Sequence, residues 1–231
     1  MKTINRYMRF VPFIQKIVLF VLMPVVAVLL ALGGVFAQKI TDASGLSGPD
    51  ALFLTIFSMY LLYVVTVADI YFERGNFGGS FSSRSSDLEY MKTSPAGLAF
   101  YNDILKGSML VRFLYAGGVT LLYWLVVLAV TPQPPMRVLA SWMFACGSTF
   151  FSMQLGALFC RLVVAQHTSF AIGMFASYLS GSLLVVAGIL TTEIDLARFL
   201  CGFATLALGA LLAVLMVVIG KKKKEKEYHD V

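Results

Sequence analysis

The chain has 231 residues, of which 59% are hydrophobic and 13% charged, whereas a soluble domain carries about a quarter charged residues. Runs nearly free of charge recur along its whole length, each close to the ~20 residues that a helix needs to cross a bilayer core. This excludes a water-soluble globule and implies one membrane domain. The net charge of +6 would by itself suggest nucleic acid, but that partner is rejected because nearly all the basic residues flank apolar segments, where they set orientation and meet anionic membrane lipids.

Residues 1–16 (MKTINRYMRFVPFIQK) interleave Lys2, Arg6, Arg9 and Lys16 with Ile4, Tyr7, Met8, Phe10, Val11, Phe13 and Ile14, which predicts a cytoplasmic interfacial helix. The apolar run from about Ile17 to Ala37 is too long for a secretory h-region and reads as an uncleaved first span. Pro24 predicts a mild kink within it. Gln38 to Asp50 reads as a loop with Gly45, Gly48 and Pro49, and the second span runs from about Ala51 to Phe72.

Residues 73–107 form the longest polar segment. A flexible ERGNFGGSFSSRSS passes into DLEYMKTSPAGLAFYNDILKG. Ser85 or Ser86 can cap a helix whose first turn holds Asp87 and Glu89, acids that the helix dipole favours there. Pro95 ends that turn or opens a second short helix, in which Leu98, Tyr101, Ile104 and Leu105 recur at helical spacing. A broken amphipathic helix at the cytoplasmic surface is the expectation.

The third span covers about Ser108 to Val130, and TPQPPMR then turns the chain. The fourth runs from about Val138 to Cys160, Arg161 to Ser169 is a polar link, and the fifth runs from about Phe170 to Leu190. Thr191 to Arg198 turns back into a sixth span that ends at Gly220, followed by a basic tail, 221–231. The fold class is therefore all-α and integral to the membrane, with a six-helix domain over 17–220. In this layout fifteen of the eighteen Lys and Arg residues fall on one side, and only Lys39, Arg137 and Arg198 on the other. The positive-inside rule puts the fifteen, and both termini, in the cytoplasm.

No pattern for catalysis or cofactor binding emerges. Gly220-Lys221 ends a membrane helix and lacks the glycine loop and Ser/Thr of a phosphate-binding motif. Ser148 and His167 fall at different depths, which argues against a protease dyad. Histidines 167 and 229 stand alone, and Cys146, Cys160 and Cys201 sit singly in apolar runs, so no metal site is expected. Asp69, Glu73 and Arg74 cluster at the edge of the second span, where they either pair with Arg112 or snorkel, or else act in a gate or a partner contact. Gln154, the only long amide deep in a span, either bonds between helices or touches a substrate. No span has an acid at its centre, where ion-driven carriers place their coupling carboxylates, so any transport draws its energy from a separate ATPase.

The layout resembles the ABC-2 type permeases, the membrane subunits of many bacterial exporters. The resemblance rests on the interfacial helix, the six spans with both ends inside, and the stretch from Asp87-Leu88-Glu89-Tyr90-Met91-Lys92-Thr93-Ser94-Pro95 to Asp103-Ile104-Leu105-Lys106-Gly107. It implies that this coupling segment docks in a groove of a cytoplasmic ATP-binding subunit through Asp87, Leu88, Glu89, Met91, Pro95, Tyr101, Asp103 and Ile104. It also implies a second permease chain, alternating access driven by that ATPase, and a bacterial cytoplasmic membrane. Phe57, Tyr60, Tyr63, Phe150, Phe151 and Tyr178 then either wall a path for an amphipathic peptide or lipid, or serve helix packing and interface belts. The alternative is a non-transporting scaffold, immunity or assembly subunit that binds a protein partner or anionic lipid.

Overall fold

The computed structural model describes residues 2–44, 52–77, 97–162 and 166–229. Among them every regular element is helical: α1 (Lys2–Phe10), α2 (Phe13–Ile17), a π-helical turn (Val18–Leu22), α3 (Met23–Ala43), α4 (Leu52–Phe77), α5 (Gly97–Val130), α6 (Pro135–Leu162), α7 (Gln166–Leu190) and α8 (Asp195–His229). Six stretches are long and apolar enough to cross a membrane: Phe13–Ala43, Leu52–Glu73, Ala99–Val130, Pro135–Leu162, Phe170–Leu190 and Asp195–Lys222. Even the shortest, of 21 residues, measures about 32 Å at ~1.5 Å per residue, enough for a ~30 Å hydrocarbon core. The protein is a multi-pass membrane protein.

Several boundaries differ from the sequence expectation. The first helix ends at Phe10 rather than at Lys16. Pro12 is extended (φ −58°, ψ 151°) and has no N–H to continue the helix, so Val11 closes the last turn by donating to Tyr7 O (3.0 Å). The first span then begins at Phe13. Just before Pro24 it carries the π turn, where Met23 N–H donates to Val18 O; the wider turn absorbs the hydrogen bond that proline cannot make.

Gln38 to Ala43 extend α3 rather than forming a loop. Thr41 Oγ1 donates to Ala37 O (3.0 Å), Gln38 Nε2 to Asp42 Oδ1 (3.0 Å), and Ser44 closes the end through Ile40 O (2.9 Å). At the other end of the chain α8 passes through Gly220 to His229, so the lysine run is helical rather than a loose tail. A Lys221–Glu225 pair (3.5 Å) supports it at the i,i+4 spacing.

From Gly97 onward the chain runs continuously into the third span. Gly97 to Lys106 are the opening turns of α5, which runs 34 residues to Val130. Asp87, Leu88, Glu89, Met91 and Pro95 lie outside the described residues.

Helix α6 is the axis of the bundle. It packs on α4, α5, α7 and α8, and it is the most buried of the spans. Small residues make this possible: a Cβ on Gly147 would strike Gly202 O, and one on Gly202 would strike the α6 backbone at Met143 and Phe144, so α6 and α8 approach backbone to backbone. Polar side chains tie the other contacts, with Trp142 Nε1 donating to Gly117 O (3.2 Å) and Tyr123 Oη to Leu54 O (2.7 Å).

Candidate functional site

The densest polar constellation lies where the end of α4, the start of α5 and the end of α6 meet. Asp69 and Glu73, one helical turn apart on α4, face the same way. Arg112 of α5 donates from Nε to both oxygens of Asp69 (3.0 and 2.8 Å) and from Nη2 to Glu73 Oε2. Arg161 of α6 donates from Nε to Glu73 Oε1 and from Nη2 to Ser108 Oγ (3.3 Å). All four charged side chains are buried. Two carboxylates meet two guanidinium groups, so the cluster is neutral as a whole, as burial in a membrane demands. Glu73 is its hub, giving one oxygen to α5 and the other to α6.

Helix α1 lies over this cluster. Tyr7 and Val11 pack with Tyr101, Ile104 and Leu105 of α5, and Arg6 pairs with Asp103. The fit depends on Gly107, where a Cβ would collide with Tyr7 Cβ and the Thr3 carbonyl. Burial pushes the Tyr7 phenol well above the ordinary tyrosine range, and Arg112, Glu73 and Asp69 are near enough to act on it. The structure thus joins α1, the opening turns of α5 and the ionic cluster into one packed unit.

Of the sequence-predicted residues, Asp69 and Glu73 are brought together, and their partner is Arg112 as one reading had it. Tyr101 and Ile104 are buried beneath α1, and Asp103 is engaged by Arg6. Gln154 is fully buried in α6, with neither amide atom hydrogen-bonded. Among the six aromatics, Tyr60, Tyr63 and Tyr178 share a groove of about 760 Å³ with Tyr71 and Phe170, in which Tyr63 and Tyr178 stack at 5.3 Å. The others are elsewhere: Phe57 packs on Gly33 and Gly34, Phe150 on Phe113, and Phe151 lines a separate groove between α6, α7 and α8.

Two buried arginines escaped the sequence reading, which placed both in loops. Arg161 is one; the signal for it was arithmetic, since two carboxylates at the edge of α4 need a second cation besides Arg112. The other is Arg198, in the first turn of α8 at the opposite end of the bundle. It is buried and bonds to Ser141 Oγ (2.7 Å), Thr55 Oγ1 (3.0 Å), Gly188 O (2.9 Å) and Thr192 Oγ1 (3.2 Å). It therefore laces α4, α6 and α7 to α8 through neutral oxygens alone. Nearby, Arg137 and Asp195 stand 3.6 Å apart.

Among the described residues no three His, Cys, Asp or Glu side chains converge on a metal position. Ser148 lies mid-way along α6, and His167 belongs to the first turn of α7 rather than to a loop.

Fold and site together define a six-span helical membrane protein with a polar lock at each end of its bundle. Comparison of the chain with family models, with curated proteins and with solved structures found no match.

Proposed function

We propose that the chain is the membrane-spanning permease subunit of an ATP-driven exporter of the ABC-2 type, carrying an amphipathic or hydrophobic substrate such as a peptide or lipid. Its energy comes from a separate cytoplasmic ATP-binding subunit, and it works with a second permease chain. In this reading both termini and the ionic cluster face the cytoplasm of a bacterial cell, the orientation that the distribution of Lys and Arg favours.

The observation that carries the reading is the continuity of α5. Its opening turns are clamped by α1, and two turns further on it presents Arg112 to α4, whose Glu73 in turn holds α6 through Arg161. A push on the segment before Gly97 would travel along a rigid helix into the contacts that hold three spans together. The neutral pairing of Asp69 and Glu73 adds support, because these carboxylates are engaged by arginines rather than open to a coupling ion.

The test is gentle purification of the tagged chain, co-expressed with its genomic neighbours, and mass spectrometry of what stays bound. A stoichiometric ATPase, lost when Leu88 and Glu89 are both replaced by alanine, is the expected result. A chain that purifies alone, or with another membrane protein, overturns the proposal in favour of a scaffold, immunity or assembly subunit.

A further inference from the structure

Beneath α1 lies a second cavity, distinct from the tyrosine groove. It has a volume of about 380 Å³ and is roofed by Ile4 and Met8 of α1, walled by Phe20 of the π turn and Pro24, and floored by Gly118 and Val119 of α5. A Cβ on Gly118 would meet nothing within 4 Å, so the floor at this point is bare backbone facing open space. From Phe13, where the span begins, to Pro24 is about 16 Å at ~1.5 Å per residue, roughly half of a ~30 Å hydrocarbon core and hence the depth of one leaflet.

Apart from the Tyr115 hydroxyl, which is buried without a hydrogen-bond partner, the lining is apolar, and one polar atom is too few to hold a water. The rim is basic. Lys16 stands one turn before Leu19 and Phe20 on the same helix, and exposed Arg9 follows Met8 on the roof. Arg6 is already engaged by Asp103, and the first acid in the sequence is Asp42. An occupant with a hydrocarbon tail and a negative head satisfies both halves of the site. We propose that this cavity holds one acyl chain of an anionic phospholipid from the leaflet on the α1 side, with its headgroup phosphate against Lys16 and Arg9. The inference is independent of the transport reading.

The experiment uses the full chain in nanodiscs doped with phosphatidylglycerol that carries a diazirine in its acyl chain, with the matching phosphatidylcholine probe for comparison. Cross-linked peptides are mapped by mass spectrometry. The expected result is selective labelling of 111–119 and 18–24 by the anionic probe. Gly118→Phe should reduce it about tenfold, the effect of excluding about two methylenes. Lys16→Glu with Arg9→Glu should reduce it at least about fivefold, the effect of about one lost headgroup charge contact. Labelling of lipid-facing Leu211 on α8 should not change. Gly118→Ala, which meets no neighbour, serves as the variant sure to pack, with intermediate labelling expected. Equal labelling by both probes, or labelling indifferent to the charge reversals, overturns the proposal.

Discussion

Glu73 touches two arginines with two different oxygens, so its loss leaves two guanidinium groups under-compensated in a buried place. Removing one partner from a buried ionic network costs about 3–5 kcal/mol. Glu73→Ala is therefore expected to lower the thermal unfolding midpoint in detergent far more than Asp69→Asn. Glu73→Leu combined with Arg161→Met removes one charge of each sign and leaves the Asp69–Arg112 pair whole, so it should recover most of the loss. Gln154 behaves in the opposite sense. Its amide has no partner, so Gln154→Met exchanges two unsatisfied polar atoms for an apolar chain of similar length, and the unfolding midpoint should hold or rise. If the amide instead contacts a transported substrate, this variant loses transport while keeping its stability. The sequence displayed Asp69, Glu73 and Gln154 as polar groups in apolar surroundings, and Arg112 as a plausible neighbour. Arg161 and Arg198 were hidden because the partners that tie them to α4 are distant in the chain: Glu73 is 88 positions from Arg161, and Thr55 is 143 from Arg198.

At the scale of elements, the association of α1 with α5 hangs on the missing side chain of Gly107. Gly107→Ala should dislodge α1 and leave the six spans assembled, because the nearest atoms its Cβ meets all belong to Tyr7 and Thr3 of α1. Limited trypsinolysis would read this as faster cleavage after Arg6 and Arg9, with unchanged cleavage elsewhere. Hydropathy made the six spans plain, since length and apolarity are one-dimensional properties. Helix ends were harder to read. Polar residues beyond a membrane core, such as Gln38 to Ala43 or Lys221 to His229, remain helical whenever no proline intervenes, and local bonds between side chain and backbone extend the turn. The π turn at Val18–Leu22 had no compositional cue except the proline two residues after it.

The molecule as a whole turns on α6, which packs on α4, α5, α7 and α8. Gly147→Val should force α6 and α8 apart and destabilise the whole bundle rather than one helix, seen as a broad loss of protection in hydrogen exchange across α4 to α8. Orientation can be checked with single cysteines in intact cells. One at Glu193, in the short turn between α7 and α8, should react with an impermeant thiol reagent, and one at Lys222 only after permeabilisation. The reverse pattern would invert the membrane orientation proposed for the chain.

Asp69 and Glu73 stand about one helical turn, ~6 Å at ~1.5 Å per residue, apart along α4, and Arg112 grips both at once. This makes a rack with two notches. If α5 slides along α4 by a turn in either direction, one carboxylate stays within its reach, whereas pulling the two helices apart strips the guanidinium of both. This end of the bundle is thus built to tolerate shear and to resist opening.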